Sequence, residues 1–335
     1  MRLPPFLYLA PRTHAEALEM MRRYRGKVRI CAGGTDVMNL LRLRLLTPSY
    51  VMSLKGVAGL TGIKRRRGDL AIAAGTTLRD VEEAPEIRLS LPGVAQSAGL
   101  VAAPPIRNVA TIGGNLLQDT RCLFYNQSEL VREAAAPCLK QGGRVCAAVK
   151  GSKRCFSVYQ GDMAPSLIAF GARAIVKRKG GSRTVPVEAL FSGRGTRPLF
   201  LGDDEMLTHI IIPMPKGVYG SSYQKLRLRT GLEYPLISSA VFIGVSKKGE
   251  IDRARVVIGA AGPAPIVDDE AAASLIGRRP EEVNPEEAAD HAGSIARPVD
   301  NLAMAGQYRK KMAKIFTKRA IEAALAALGK AGASW

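Results

Sequence analysis

Apolar positions along the chain fall into short groups whose spacing assigns most of them to an element. Thr13-His14-Ala15-Glu16 has the layout of a capping box and opens a helix to about residue 24. Val28-Arg29-Ile30-Cys31-Ala32 reads as a buried strand, and Met38-Asn39-Leu40-Leu41-Arg42 as helix-like. Further on, residues 70–74 predict a strand, Thr77-Leu78-Arg79-Asp80 opens another helix, and 92–101 forms a small-residue helix. Strands are expected at 172–178 and 209–212. After Pro213-Met214-Pro215-Lys216-Gly217 the texture changes. Three strands follow at 222–228, 239–245 and 255–258, the last two joined by a turn at Lys247-Lys248-Gly249-Glu250, and three helical segments close the chain at 269–276, 285–296 and 302–328. This pattern places a domain boundary near residue 215 and shows no internal repeat.

One stretch resists this reading. Of five cysteines, Cys122, Cys138, Cys146 and Cys155 lie within 34 residues that follow neither helical nor strand periodicity. An unpatterned segment of that length in a folded domain points to function or disorder, and four thiols favour function. Disulfides suit a secreted chain, and nothing here signals export. Zinc sites usually show CxxC knuckles, whereas the gaps here are fifteen, seven and eight residues, and His14, His209 and His291 lie far off in sequence. An iron–sulfur cubane also takes four thiolates and tolerates irregular spacing. The cations Arg121, Lys140, Arg144, Lys150, Lys153 and Arg154 would offset its negative charge. Spacing alone prefers a cluster to zinc only modestly. Cys31, in its apolar strand, reads as a small buried thiol.

Two glycine turns precede this segment. Ala32-Gly33-Gly34-Thr35-Asp36-Val37 follows a strand, and Ala110-Thr111-Ile112-Gly113-Gly114-Asn115 runs into the cysteines. Adjacent glycines let backbone approach a ligand closely and can aim successive amides at a phosphate. Asp36 can either cap the following helix or accept from a ribose hydroxyl. Neither turn is GxGxxG or a P-loop, and GxSxG, HExxH and close Cys–His pairs are absent, which argues against a hydrolase and for cofactor chemistry.

Composition narrows the class. The 335 residues are 47% hydrophobic and 23% charged, an ordinary globular balance long enough for two domains. No apolar run approaches the ~18 residues of a membrane span, and the proline-broken start does not read as a secretory leader, so a cytoplasmic protein is expected. Lys plus Arg number 49 against 29 Asp plus Glu, a formal charge of +20. That favours an acidic partner. Aromatics at 5% and the lack of nucleic-acid motifs argue against nucleic acid. Lys64-Arg65-Arg66-Arg67 and Tyr308-Arg309-Lys310-Lys311 read as solvated basic surface.

The first glycine turn, taken with Ile106-Arg107-Asn108-Val109-Ala110-Thr111-Ile112-Gly113-Gly114-Asn115, resembles the paired FAD signatures of the medium, flavin-binding subunit of molybdenum hydroxylases, the xanthine and carbon monoxide dehydrogenase group. The resemblance covers nearly the whole chain. It implies an α+β fold: a two-subdomain FAD-binding (PCMH-type) domain over 1–215, and a C-terminal flavoprotein domain over 216–335 with a three-stranded antiparallel sheet and helices. Between Asn115 and Asp162-Met163-Ala164-Pro165 the chain carries an insert at about 116–161 that holds the four clustered cysteines. With Gln118-Asp119-Thr120-Arg121-Cys122-Leu123-Phe124-Tyr125-Asn126-Gln127-Ser128, this insert is similar to that of the beta subunit of 4-hydroxybenzoyl-CoA reductases. There the loop carries a 4Fe–4S cluster, which implies Cys122, Cys138, Cys146 and Cys155 as ligands.

The same resemblance implies contacts to FAD from Ile30, Cys31, Ala32, Gly33, Gly34, Thr35, Asp36 and Val37, and from Thr111, Ile112, Gly113, Gly114 and Asn115. It adds Val101 beside the flavin, Asp162 accepting from the cofactor, and Leu207 on the adenine side, with Met206 and Thr208 as neighbours able to serve. Lys225 matches a basic position near the flavin; by pattern alone it is an exposed strand residue. No residue is implied as catalytic. The implied partners are a large molybdopterin subunit and a small 2Fe–2S subunit, in a heterotrimer that dimerises, and a ferredoxin-like acidic donor. The implied reaction is reductive dehydroxylation of 4-hydroxybenzoyl-CoA. The alternatives are the FAD subunit of another molybdenum hydroxylase, or a stand-alone FAD-binding protein with a zinc loop.

Overall fold

The N-terminal subdomain is a small parallel sheet made of β1 (Leu7–Leu9), β2 (Val28–Cys31) and β3 (Tyr50–Ser53), in the order β1-β3-β2. The architecture is that of a computed structural model, which describes residues 2–301 and 303–328. Helix His14–Arg23 makes the crossover from β1 to β2. Thr13 caps it by accepting from the Glu16 amide at 3.1 Å, while the Glu16 carboxylate accepts from the Arg12 amide. Its buried residues Ala17, Leu18 and Met21 pack on Met52, Val57 and Leu60.

The second subdomain is an antiparallel sheet of β4 (Ile63–Arg66), β5 (Asp69–Ala73), β6 (Arg173–Arg178), β7 (Gly181–Pro186) and β8 (Met206–Pro213), in the order β4-β5-β8-β6-β7. Leu70, Ile72, Ala174, Ile210 and Ile212 bury one of its faces under short helices that include Leu78–Glu83, Pro92–Gly99 and Met163–Ala169. Residues 116–161 enter and leave between these helices, so the cysteine segment hangs from the same layer as the second glycine turn.

The C-terminal sheet corrects one expectation. It has four strands, β9 (Val218–Leu226), β10 (Ile237–Val245), β11 (Ile251–Gly259) and the two-residue β12 (Ile266–Val267), in the order β12-β11-β10-β9. A two-residue strand is too short to give a period, so three strands were all the pattern could show. Helix Gly306–Ala326 packs so closely on β9 that a Cβ on Gly220 would lie 2.0 Å from the Ala324 carbonyl oxygen. The helix expected over 302–328 begins at Gly306, and Leu302 lies outside the described residues. The segment 285–296 breaks into Pro285–Ala288 and Asp290–Ile295. Arg309, expected on a solvated surface, is 1% exposed and donates to the carbonyls of Leu236, Val299 and Ala260. One apolar core runs from the second sheet into this one, through Leu167, Phe170, Tyr219, Tyr223 and Phe242.

Candidate functional site

A cleft of about 1110 Å³ runs between the two N-terminal subdomains and is closed at one side by residues 232–234 of the C-terminal domain. Ile30, Ala32, Gly33, Gly34, Thr35, Asp36 and Val37 line it from the first turn; Thr111, Gly113, Gly114 and Asn115 line it from the second. Val101, Asp162 and Leu207 complete the walls. The two turns touch. A Cβ on Gly33 would sit 2.0 Å from the Val109 carbonyl oxygen, and one on Gly113 would sit 2.7 Å from that of Ala74. Glycine is needed here for close approach of backbone to backbone.

The first turn leaves donors unused. Among the described residues, none of the backbone amides of Gly33, Gly34, Thr35, Asp36 and Val37 meets an acceptor within the chain. Buried or half-buried amides rarely go unpaired, and a run of them along a cleft is a cradle for an anion. The second turn is self-satisfied: Thr111 accepts from the Gly114 amide at 3.1 Å and caps Ile112–Leu116. A long cleft with free amides at its floor and apolar walls suits a dinucleotide, and the residues present fit FAD.

Three of the expected contacts lie behind the wall rather than on it. Ile112 is fully buried, and its amide donates to the Thr76 carbonyl. Cys31 is half-buried rather than buried, because its strand forms the cleft's edge, and burial pushes its thiol pKa up. Lys225 is not an exposed strand residue: its side chain is 0% exposed. Its ammonium donates to Asp162 at 3.1 Å and to the carbonyls of Leu100 and Glu233, three acceptors for three hydrogens. Asp162 also accepts from the Tyr223 hydroxyl at 2.6 Å. Burial pushes the Asp162 carboxyl up and the Lys225 ammonium down, and each opposes the other's shift. The pair is buried with its hydrogen bonds met on both sides, and Lys225 acts on the cleft through Asp162. Residues the sequence reading missed are Gln160, Tyr125, Tyr234 and the segment 196–203. Gln160, Tyr234 and 196–203 carry no motif or period, and Tyr125, though inside the stretch 118–128 that carries the resemblance, has no signal of its own for the cleft.

The cysteine segment is folded around its thiols. Arg121 and Val158 exchange two backbone bonds of 2.8 Å and close its neck. Arg132 ties its short helix Glu129–Glu133 to the carbonyls of Leu43 and Arg44. Cys122, Cys138, Cys146 and Cys155 are all free thiols and line a single small cavity with Tyr125 and Lys140. The void is about 10 Å³, room for one water-sized sphere, so a four-iron core there requires the segment to dilate. Among the described residues, no three Cys, His, Asp or Glu side chains are arranged to hold a single metal ion. Lys140 is 5% exposed, donates to Asp119 at 2.8 Å, and lies 4.7 Å from the Tyr125 ring centroid. Tyr125 lines both cavities and forms the wall between them. No helix among the described residues is long and apolar enough to cross a membrane.

Comparison with known proteins agrees with this geometry. Residues 4–215 match the FAD binding domain in molybdopterin dehydrogenase, and residues 221–324 match the CO dehydrogenase flavoprotein C-terminal domain. The carbon monoxide dehydrogenase medium chain of Hydrogenophaga pseudoflava is 25% identical over 96% of this chain and 98% of its own. The caffeine dehydrogenase subunit beta of Pseudomonas sp. (strain CBB1) is 26% identical over 96% and 95%. A solved structure of carbon monoxide dehydrogenase from Hydrogenophaga pseudoflava superposes with a TM-score of 0.80, at 25% identity, covering 98% of this chain and 100% of that one. With a family model spanning more than half of the sequence and the fold shared end to end, the chain belongs to the FAD-binding, medium-subunit family of the molybdenum hydroxylases.

Proposed function

We propose that this chain is the electron-transfer subunit of a molybdenum-dependent oxidoreductase, holding FAD in the cleft and, in the finer reading, an iron–sulfur cluster on Cys122, Cys138, Cys146 and Cys155. The observation that carries the first half is the cleft floored by five unpaired amides and walled by the two glycine turns. FAD, when bound, supplies exchange between one-electron and two-electron carriers. The chain's part would be to seat the diphosphate on the free amides of the first turn and to present Asp162, anchored by Lys225 and Tyr223, at the cleft wall. Residues 1–215 and 216–335 divide this work as two domains, with 116–161 inserted. The partners are a large molybdopterin subunit and a small 2Fe–2S subunit, in a dimerised heterotrimer of the cytoplasm.

Two directions of electron flow are open to such a subunit. The named relatives are dehydrogenases of carbon monoxide and caffeine, so the nearer reading has the flavin receiving electrons from a substrate-oxidising partner. The finer reading, a 4-hydroxybenzoyl-CoA reductase, rests on the cysteine segment alone. Four thiols around one cavity, a buried lysine beside them and one tyrosine between that cavity and the cleft suit a one-electron protein donor of ferredoxin type. Two electrons and two protons would then replace the phenolic hydroxyl by hydrogen and release water at the partner's molybdenum. Metal analysis of anaerobically purified chain tests the cluster. About four irons per chain and no zinc is expected, lost in Cys138→Ser and kept in Cys31→Ser. Stoichiometric zinc sinks the cluster, and iron retained by Cys138→Ser or lost in Cys31→Ser sinks the ligand assignment. Flavin reduced by NADH but not by reduced ferredoxin sinks the reductase reading.

A further inference from the structure

Asp36 stands immediately before helix Val37–Arg42, where a cap would be, yet its carboxylate makes no bond to that helix. It is ion-paired instead with Arg121, across 85 residues of chain. The guanidinium is fixed from two further directions. It lies 4.2 Å from the ring centroid of Tyr234, which closes the cleft, and the Arg121 backbone is pinned to Val158 at the neck of the cysteine segment. Both charged side chains are mostly enclosed, at 17% and 21% exposure.

We propose that Arg121 is a positioning residue for FAD, which holds the Asp36 carboxylate off the unpaired amides of the glycine turn and so keeps them open to the cofactor's diphosphate. A carboxylate in that turn is an internal rival of the diphosphate. It has the same sign of charge, stands in the same turn beside the unpaired amides, and needs no association step to be there. Pairing it with a guanidinium removes the competitor and neutralises a charge that would otherwise repel the ligand at close range through poorly solvated space. The stacked Tyr234 ring and the doubly bonded neck fix where the guanidinium stands, which a lone surface arginine would not achieve. Arg121 directly precedes Cys122, so the same tether links order in the cysteine segment to affinity in the cleft.

The inference rests on FAD occupying the cleft, and the test separates the two. FAD is titrated into the apo full-length chain by flavin fluorescence quenching, for wild type, R121M, R121K and R121M/D36A. R121M is expected to bind about tenfold or more weakly, and R121K, which keeps the charge, to stay within about threefold of wild type. Removing the freed carboxylate in R121M/D36A is expected to recover most of the loss. A double variant as weak as R121M overturns the inference, because the loss would then not come from the freed carboxylate; a pair that merely braced the fold would lose and regain stability in urea melts of the same proteins rather than FAD affinity. R121M at wild-type affinity, or R121K with a tenfold loss, overturns it as well. Should R121M fail to fold, R121Q and R121Q/D36A are read the same way, and R121K still decides. A wild-type chain that does not bind FAD sinks the cofactor assignment itself, and this inference with it.

Discussion

Gly33→Ala is the smallest change that tests how the cleft is built. The added Cβ would lie 2.0 Å from the Val109 carbonyl oxygen, 2.8 Å from the Val109 carbonyl carbon and 2.9 Å from the Ala110 Cα. Carbon–oxygen contacts settle near 3.3–3.6 Å, so the first turn must retreat from the second by about 1.3 Å or more. The obstacles are backbone on both sides, and no flexible side chain can yield. Overpacking typically costs about 1–3 kcal/mol, and backbone obstacles put this site in the upper half, about 2–3 kcal/mol. The cost falls on one of two quantities. If the apo chain keeps its geometry, folding stability drops by that amount. If the turns part, stability is spared and FAD must draw them together again, weakening binding by about 30- to 150-fold. Urea melts of the apo chain and FAD titrations of the same preparation measure both, and their losses should sum to about 2–3 kcal/mol. Gly181→Ala is the control, since its Cβ meets nothing within 4 Å. If Gly33→Ala matches wild type in both measurements, the abutment of the two turns does not hold the cleft together.

Three further outcomes are expected. Lys225→Met should destabilise the chain by about 3–5 kcal/mol, because it leaves the Asp162 carboxylate buried without its cation; a loss under 1 kcal/mol in denaturant melts would show the pair to be dispensable. The His291 pKa is raised by its hydrogen bond to Asp268, so this contact contributes stability below its ordinary value of about 6.5 and loses it as pH rises through the elevated one. The gap between wild type and His291→Gln should therefore be larger near pH 5.5 than near pH 9, and a constant gap refutes the pairing. Exposed Arg144, Lys150, Lys153 and Arg154 flank the cysteine cavity, so reduction by an acidic one-electron protein should slow several-fold between about 0.02 and 0.5 M salt, and rates flat across that range would remove these residues from docking.

What the sequence made legible follows the strength of local patterning. Thr13 capping, strand β5 and the three long C-terminal strands carry alternation or a cap within a few residues, and each stands within a few positions of its expected place. β4 reads Ile-Lys-Arg-Arg with three exposed charges and gives no period, because an edge strand buries almost nothing. β9 begins at Val218, four residues before its expected start. Gly220 and Ser222 are buried beneath Gly306–Ala326 and Ser221 on the opposite face against Gly93, and nothing in the chemistry of these small residues announces burial. The glycine turns were legible because close backbone approach admits no other residue. Tyr234 and Gln160 were not legible as parts of the cleft, nor Arg121 as the partner of Asp36, since each gets there through contacts far along the chain.

The strand order of the second sheet also governs when this chain can fold. β8 lies between β5 and β6 and supplies the shared partner of both, yet it leaves the ribosome more than a hundred residues after β5. Until Met206–Pro213 is made, the β4–β5 and β6–β7 hairpins each present an unpaired inner edge, and the apolar faces of Leu70, Ile72 and Ala174 have no common layer. Closing the sheet is therefore a non-local event with a large loop entropy to overcome. The second glycine turn and the cysteine segment hang from that same layer, so a nascent chain arrested before Pro213 holds the first turn on its own small sheet but has no surface on which to set the second turn and the cysteines against it.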